Sequence, residues 1–175
     1  MTKPTRRDVL RASGVVAVGA LAGCSALGDD ATEEPSYRQL PTTAVYVADV
    51  VDLSVPAEIE TVSDPVNADL VVVPADTSSS AEQTVQWLAD GRAVALLGDA
   101  AEETWHAWAE SAAYRDTFDT EGYSDSDPDP ELLVAGAIGL DVTTYRYTWG
   151  EGPSDEDVLG ALDESLADIE TRTPQ

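Results

Sequence analysis

The chain has 175 residues, with 34 Asp and Glu against 9 Lys and Arg, a formal charge of −25 at pH 7. That length suits one modest domain with a tail, and 43% hydrophobic residues make it too apolar for a wholly disordered acidic protein. A single cysteine and a single histidine exclude an internal disulfide framework, a cysteine-based structural zinc site and a multi-histidine metal centre.

Lys3, Arg6, Arg7 and Arg11 open the chain, and residues 12–22 follow as an uncharged apolar stretch. Such a stretch is too short to cross a bilayer, which takes ~20 residues. A charged start and a short apolar core form the pattern of an export signal. Thr5-Arg6-Arg7-Asp8-Val9-Leu10 resembles the twin-arginine signal, a route that exports proteins already folded. Leu21-Ala22-Gly23-Cys24 resembles a lipobox, whose cysteine receives lipid and becomes the new N-terminus. The resemblance implies a signal peptide cleaved after residue 23, with transient handling by the twin-arginine export machinery and a signal peptidase. It also implies attachment to the cell membrane, facing outside, through a lipid on Cys24.

Residues 1–23 hold one acid and four of the nine bases, so the mature chain keeps 33 acids and 5 bases, a net −28. All five are arginines: Arg38, Arg92, Arg115, Arg146 and Arg172. An excess this large repels itself at ordinary ionic strength, whereas molar salt shortens the screening length to ~3 Å. The composition resembles that of lipoproteins of halophilic archaea. An acidic partner-binding protein from low salt is the other reading, and the spread of acids along the whole chain favours the first. Nucleic acid is a poor partner, because phosphates need a basic patch. An anionic membrane surface repels this domain as well, so the lipid has to hold it there.

Ser25 to Pro41 is polar and acidic and reads as a solvated tether, with the lipidated Cys24 at its start and a single domain over residues 42–175. Ala44 to Val51 is β-branched and aromatic, a strand. Leu70 to Val73 is an unbroken apolar run, as in a strand covered on both faces. Ser80-x-x-Gln83 opens a helix through Asp90, and Gly91 ends it. Ala93 to Leu97 is a second buried-type strand. From Ala101 to about Asp116, Ala101, Trp105, Trp108 and Ala112 share one helical face. Phe118 to Glu131 is a loop. Leu132 to Ile138 and Val142 to Trp149 are strands joined by a hairpin turn. A last helix starts near Ser154 and buries Val158, Leu159, Leu162, Leu166 and Ile169. This order predicts a small three-layer α/β domain, with a mostly parallel sheet and an antiparallel edge hairpin.

Leu70-Val71-Val72-Val73-Pro74-Ala75-Asp76, a helix, and then Ala93-Val94-Ala95-Leu96-Leu97-Gly98-Asp99 resemble class I glutamine-amidotransferase-like or flavodoxin-like α/β domains. In the amidotransferase family a nucleophilic cysteine stands on the turn after a buried strand. Here that turn reads Leu97-Gly98-Asp99-Ala100, and with Cys24 given to the anchor no thiol is left for that chemistry. No G-x-S-x-G elbow occurs, and His106 sits among Glu103 and Glu110 as a surface residue. Gly150-Glu151-Gly152-Pro153-Ser154-Asp155 lacks the third glycine of a dinucleotide loop, and its acids repel a pyrophosphate, so it reads as a turn with a helix cap. Asp125, Asp127 and Asp129 alternate like calcium ligands, but Pro130 and Gly136 stand where that loop needs Gly and Glu. No cofactor and no metal are expected.

Tyr145, Tyr147 and Trp149 alternate onto one face of the last strand, with Thr144, Arg146 and Thr148 on the other. The three aromatics fit either a stacking platform for a ligand or partner or the floor beneath the final helix, and core packing is the favoured reading. Arg146, on the opposite face, suits an internal ion pair. With no complete catalytic set, the sequence favours a lipid-anchored, non-catalytic module that binds a ligand or partner outside the membrane. Competing readings are a small hydrolase working with carboxylates alone and a structural accessory subunit of a membrane complex, partnered with a membrane protein.

Overall fold

Consecutive residues of an extended strand point to opposite faces of its sheet, so an unbroken apolar strand needs cover on both sides. Three strands here meet that condition. The computed structural model describes residues 36–118 and 129–173, all within one unit spanning Glu34–Gln175. Arg6, Arg7, Cys24, Asp125 and Asp127 lie outside the described residues.

The strands are β1 (Val45–Val47), β2 (Leu70–Pro74), β3 (Ala93–Leu97), β4 (Leu132–Ile138) and β5 (Asp141–Tyr147). They form one sheet in sequential order, with β1, β2 and β3 parallel and β3–β4 and β4–β5 antiparallel. The expected α/β architecture with an antiparallel hairpin at the edge is present. The order differs from the 2-1-3-4-5 winding of flavodoxin-like sheets, because β1 lies at the sheet margin instead of inside it.

On one face, Val71, Val73, Val94, Leu96, Leu133 and Ala135 pack under α1 (Ala81–Ala89), α2 (Ala101–Ala109) and α3 (Ala112–Thr117). Leu70, Val72, Ala93, Ala95, Leu132 and Val134 face the other way, against α4 (Asp155–Arg172) and the N-terminal segment. The helix expected from residue 101 to 116 is broken. Glu110 closes α2, and Ser111 caps α3 by accepting the Tyr114 N–H at 3.1 Å. The break leaves Ala112 exposed and turns Tyr114 inwards, edge-on to Trp105 with ring centroids 5.8 Å apart. The first strand is also shorter than expected. Past Val47 the chain turns, with Val51 N–H bonded to the Ala48 carbonyl, and Val50 is left 78% exposed.

Residues 38–40, expected within the tether, are part of the folded domain instead, because Leu40 is fully buried and the backbone up to it is clamped to α4. The Asp163 carboxylate, 8% exposed, accepts the backbone N–H groups of Arg38, Gln39 and Leu40 at 2.7–2.9 Å. Three donors converging on one anion satisfy a buried charge that is otherwise costly. Gln39 adds a 2.6 Å bond from its amide to Glu170. Farther along α4, Ile169 packs where Gly136 of β4 has no side chain. A Cβ there stands 2.5 Å from Ile169 Cδ1.

Two substitutions test this packing. Asp163→Ala strands three backbone donors, that of Leu40 fully buried, and should cost about 3 kcal/mol in denaturant unfolding, with the segment from Arg38 to Leu40 the first to gain hydrogen exchange. Gly136→Ala forces Ile169 aside and should cost about 1–3 kcal/mol. A neutral result for either would remove that contact from the account of the fold.

Candidate functional site

Alternation along β5 brings Tyr145, Tyr147 and Trp149 onto the sheet face covered by α4, where all three are partly buried. The Tyr145 hydroxyl donates to Asp168 Oδ2 at 2.6 Å, and the Tyr147 hydroxyl shares a 2.9 Å bond with Ser165 Oγ. Tyr147 and Trp149 stack, with centroids 6.1 Å and planes 15° apart. The row is therefore mainly the floor beneath α4. Its outer margin stays open as a concavity of about 470 Å³ lined by Tyr145, Tyr147, Glu164, Ala167, Asp168 and Thr171. Burial first, and then the bond to Asp168, pushes the Tyr145 phenol up to about 12. Tyr147 is raised by burial too, against the opposing effect of its Ser165 bond.

The ion pair expected of Arg146 is present on the opposite face. Its guanidinium binds Glu102 through two bonds of 2.7 and 3.0 Å and reaches Thr144 Oγ1 at 2.8 Å, tying β5 to the first turn of α2. Arg92 is similarly committed, to Asp90 and to the carbonyls of Val66 and Ala68. His106 is half-exposed with Nε2 3.2 Å from Glu110 Oε1. The segment before α4 is a capped turn, in which Ser154 and Asp157 exchange side-chain-to-backbone bonds. Ser154's side-chain and backbone donors hold the Asp157 carboxyl below its ordinary range. Asp129 is exposed, and among the described residues no three His, Cys, Asp or Glu are placed to hold a metal ion.

The C-terminal edge of the parallel strands carries a surface that sequence reasoning missed. Chain turns after β2 and β3 meet there, and Gly98, at φ +124°, lets them approach, since a Cβ would stand 3.3 Å from Ala75 Cβ. Two concavities, of about 500 and 570 Å³, share Tyr46 as a wall. The first joins apolar Val50, Val73 and Trp87 to polar Asp76, Thr77, Ser79 and Gln83. Beside it the second is lined by Val47, Leu53 and Val55 with Asp49 and Thr61. Neither has a lysine or arginine in its lining.

Thr77 and Ser79 bond to one another through Oγ1 and Oγ at 3.1 Å, and Ser80 caps α1. Glu82 lies in the first turn of that helix, and its carboxyl is held below the ordinary range by its own backbone N–H and the Ser80 hydroxyl. A carboxylate of the chain thus already occupies the positive helix start that would otherwise attract a phosphate. Exposed aspartates follow each parallel strand in turn, Asp49, Asp76 and Asp99. Ligand crevices form at strand C-termini in parallel sheets, and the hydroxyl run from Thr77 to Ser80 was the one visible signal. Tyr46 and Val50 lie too far in sequence from Trp87 to announce a shared wall.

The raised Tyr145 phenol has a consequence at high pH. Between its ordinary value of 10.0 and about 12, the unfolded chain gives up a proton that the folded chain retains, so stability falls as pH rises. Tyr145→Phe should flatten that decline and remove a late-ionising group from the tyrosinate absorbance titration. Matching profiles for both proteins would contradict the assignment. No family model matches the chain, and no curated protein or solved structure is significantly similar to it.

Proposed function

We propose that this is a lipid-anchored domain facing outside the cell membrane of a halophile, acting as a non-catalytic binding module. The address rests on the paired Arg6 and Arg7, the apolar stretch after them and Cys24. Among the described residues no helix is long and apolar enough to cross a membrane; the lipid attachment is proposed from Cys24 and the small residues before it. The observation that carries the binding role is the cleft beside Tyr46, where an apolar wall and a hydroxyl and carboxylate wall line one concavity. Apolar surface with a few polar groups suits a small organic ligand. With Asp76 in the lining, no cation beside it and Glu82 on the nearby helix start, the cleft favours neutral or cationic ligands over anionic ones.

A second reading uses the same edge. Asp49, Asp76 and Asp99 follow three neighbouring strands, an arrangement from which a carboxylate-dependent hydrolase could draw its acid and base. Neutralising Asp76 or Asp49 singly would then abolish turnover with the fold intact. The accessory-subunit reading predicts instead a membrane protein that co-purifies in fixed proportion.

Two experiments test the proposal. Arg6→Lys with Arg7→Lys should block export, and Cys24→Ser should release the protein from membranes; normal export or persistent attachment would refute the corresponding half of the address. For the cleft, neutral, cationic and anionic small molecules are screened by thermal unfolding in molar salt. Stabilisation of about 2.7 kcal/mol at a hundredfold excess over Kd should come from the neutral or cationic set and vanish when Ser79→Tyr fills the cleft. Hits confined to anions, or indifferent to Ser79→Tyr, would count against it.

A further inference from the structure

The two margins of the sheet are treated differently. β1 is shielded, because Val45 N–H bonds the Glu60 carbonyl and Val62 N–H bonds the Val45 carbonyl, both at 2.9 Å. β5 is the other margin, and among the described residues no strand pairs with its outer side. Gly98 N–H donates to the Glu131 carbonyl, so by alternation Leu133 and Ala135 bond β3 while Leu132, Val134 and Gly136 bond β5. Carried through the β4–β5 register, that alternation turns the N–H and C=O groups of Val142, Thr144 and Arg146 outward.

Edge strands are usually blunted by lysine, proline, a bulge or an inward charge. β5 has no lysine and no proline, and its arginine folds back onto Glu102. In a strongly acidic domain this edge holds one acid, Asp141, and one base, Arg146. Independently, the concavity between β5 and α4 offers the ring of Tyr145 and the carboxylates of Glu164 and Asp168. Asp168 already holds Arg172 at 2.7 Å. Glu164 is exposed, and its side chain makes no hydrogen bond or ion pair among the described residues.

We propose that β5 accepts an extended segment of a partner protein as a sixth strand, and that this segment carries arginine or lysine on its α4 side. Main-chain bonds to Val142, Thr144 and Arg146 would supply affinity, and side chains alternating off the new strand would supply specificity. A cation reaching over the edge meets the Tyr145 ring and the Glu164 carboxylate together, a favourable pairing with both aromatic and charge. Acidic segments are repelled at the same place. At molar salt only contact-range charges count, which confines the selectivity to this groove. The surface is separate from the cleft beside Tyr46, and binding here does not depend on a ligand there.

The probes are three fluorescent heptapeptides titrated into the full chain in molar KCl. One alternates arginine with threonine and valine, the second has glutamate for arginine, and the third is the arginine peptide N-methylated at alternate amides. The arginine peptide should bind saturably, and the other two about tenfold more weakly or worse. Glu164→Gln should weaken the arginine peptide about tenfold, Glu103→Gln on α2 should leave it unchanged, and Thr144→Pro, which removes an outward N–H along with the hydroxyl that Arg146 holds, should abolish it. The N-methylated peptide is read on the unaltered protein, so the edge is tested even where Thr144→Pro does not fold. Equal binding of the arginine and glutamate peptides, or full binding of the N-methylated one, overturns the proposal. A dimer seen by sedimentation and lost in Thr144→Pro overturns it too, by giving the edge to a second copy.

Discussion

The central strands are apolar at nearly every position, and that constraint organises the rest of the domain. Leu70, Val71 and Val72 are fully buried, as are Leu132, Leu133 and Val134. A sheet with two greasy faces cannot stand with one layer of helices. One face is covered by α1, α2 and α3, which bring three tryptophans and Tyr114. The other has only α4, which is too narrow to span five strands alone. The N-terminal segment and the excursion through Ile59 complete that side, which explains why residues that look like tether by composition are folded.

Asp163 holds this arrangement together because it solves two problems with one group. It sits on the buried face of α4, where a carboxylate is costly unless it is matched by donors. The N-terminal segment, in turn, presents backbone N–H groups that need acceptors when Leu40 is buried. Each requirement supplies the other's remedy. Most of the domain's acids have no such role. Acids that meet distant donors, such as Asp163, Glu102, Asp168 and Glu131, were indistinguishable from the background in a chain this acidic, since nothing local marks a carboxylate whose donor lies 18 to 125 residues away.

The arginines follow the opposite logic. Few cations stand among the described residues, and those at Arg92 and Arg146 are used inside the domain, each fastening two elements through several bonds. That leaves the strand-end clefts and the concavity between β5 and α4 without a basic residue in their linings. The pairing of Arg146 with Glu102 also removes the one base that could have guarded the β5 edge.

Local chemistry was enough for much of this protein. Alternation and unbroken apolar runs identified the four longer strands, Ser80 and Ser154 marked the starts of their helices, and the α/β class followed from the order of elements, because these signals act over a few residues. The aromatic row on β5 was equally legible, since a strand's period of two is strict. Other features were decided only in three dimensions. The break at Ser111 depends on Tyr114 finding a place against Trp105; the docking of Ser36 to Pro41 depends on Asp163; the cleft beside Tyr46 assembles residues from three separate segments. The sequence by itself determined which stretches had to be strands or helices and which faces had to be buried, because those follow from the chain's own geometry. Only the tertiary structure decided which of the many carboxylates are engaged and which surfaces stay open, because both depend on partners the local sequence does not contain.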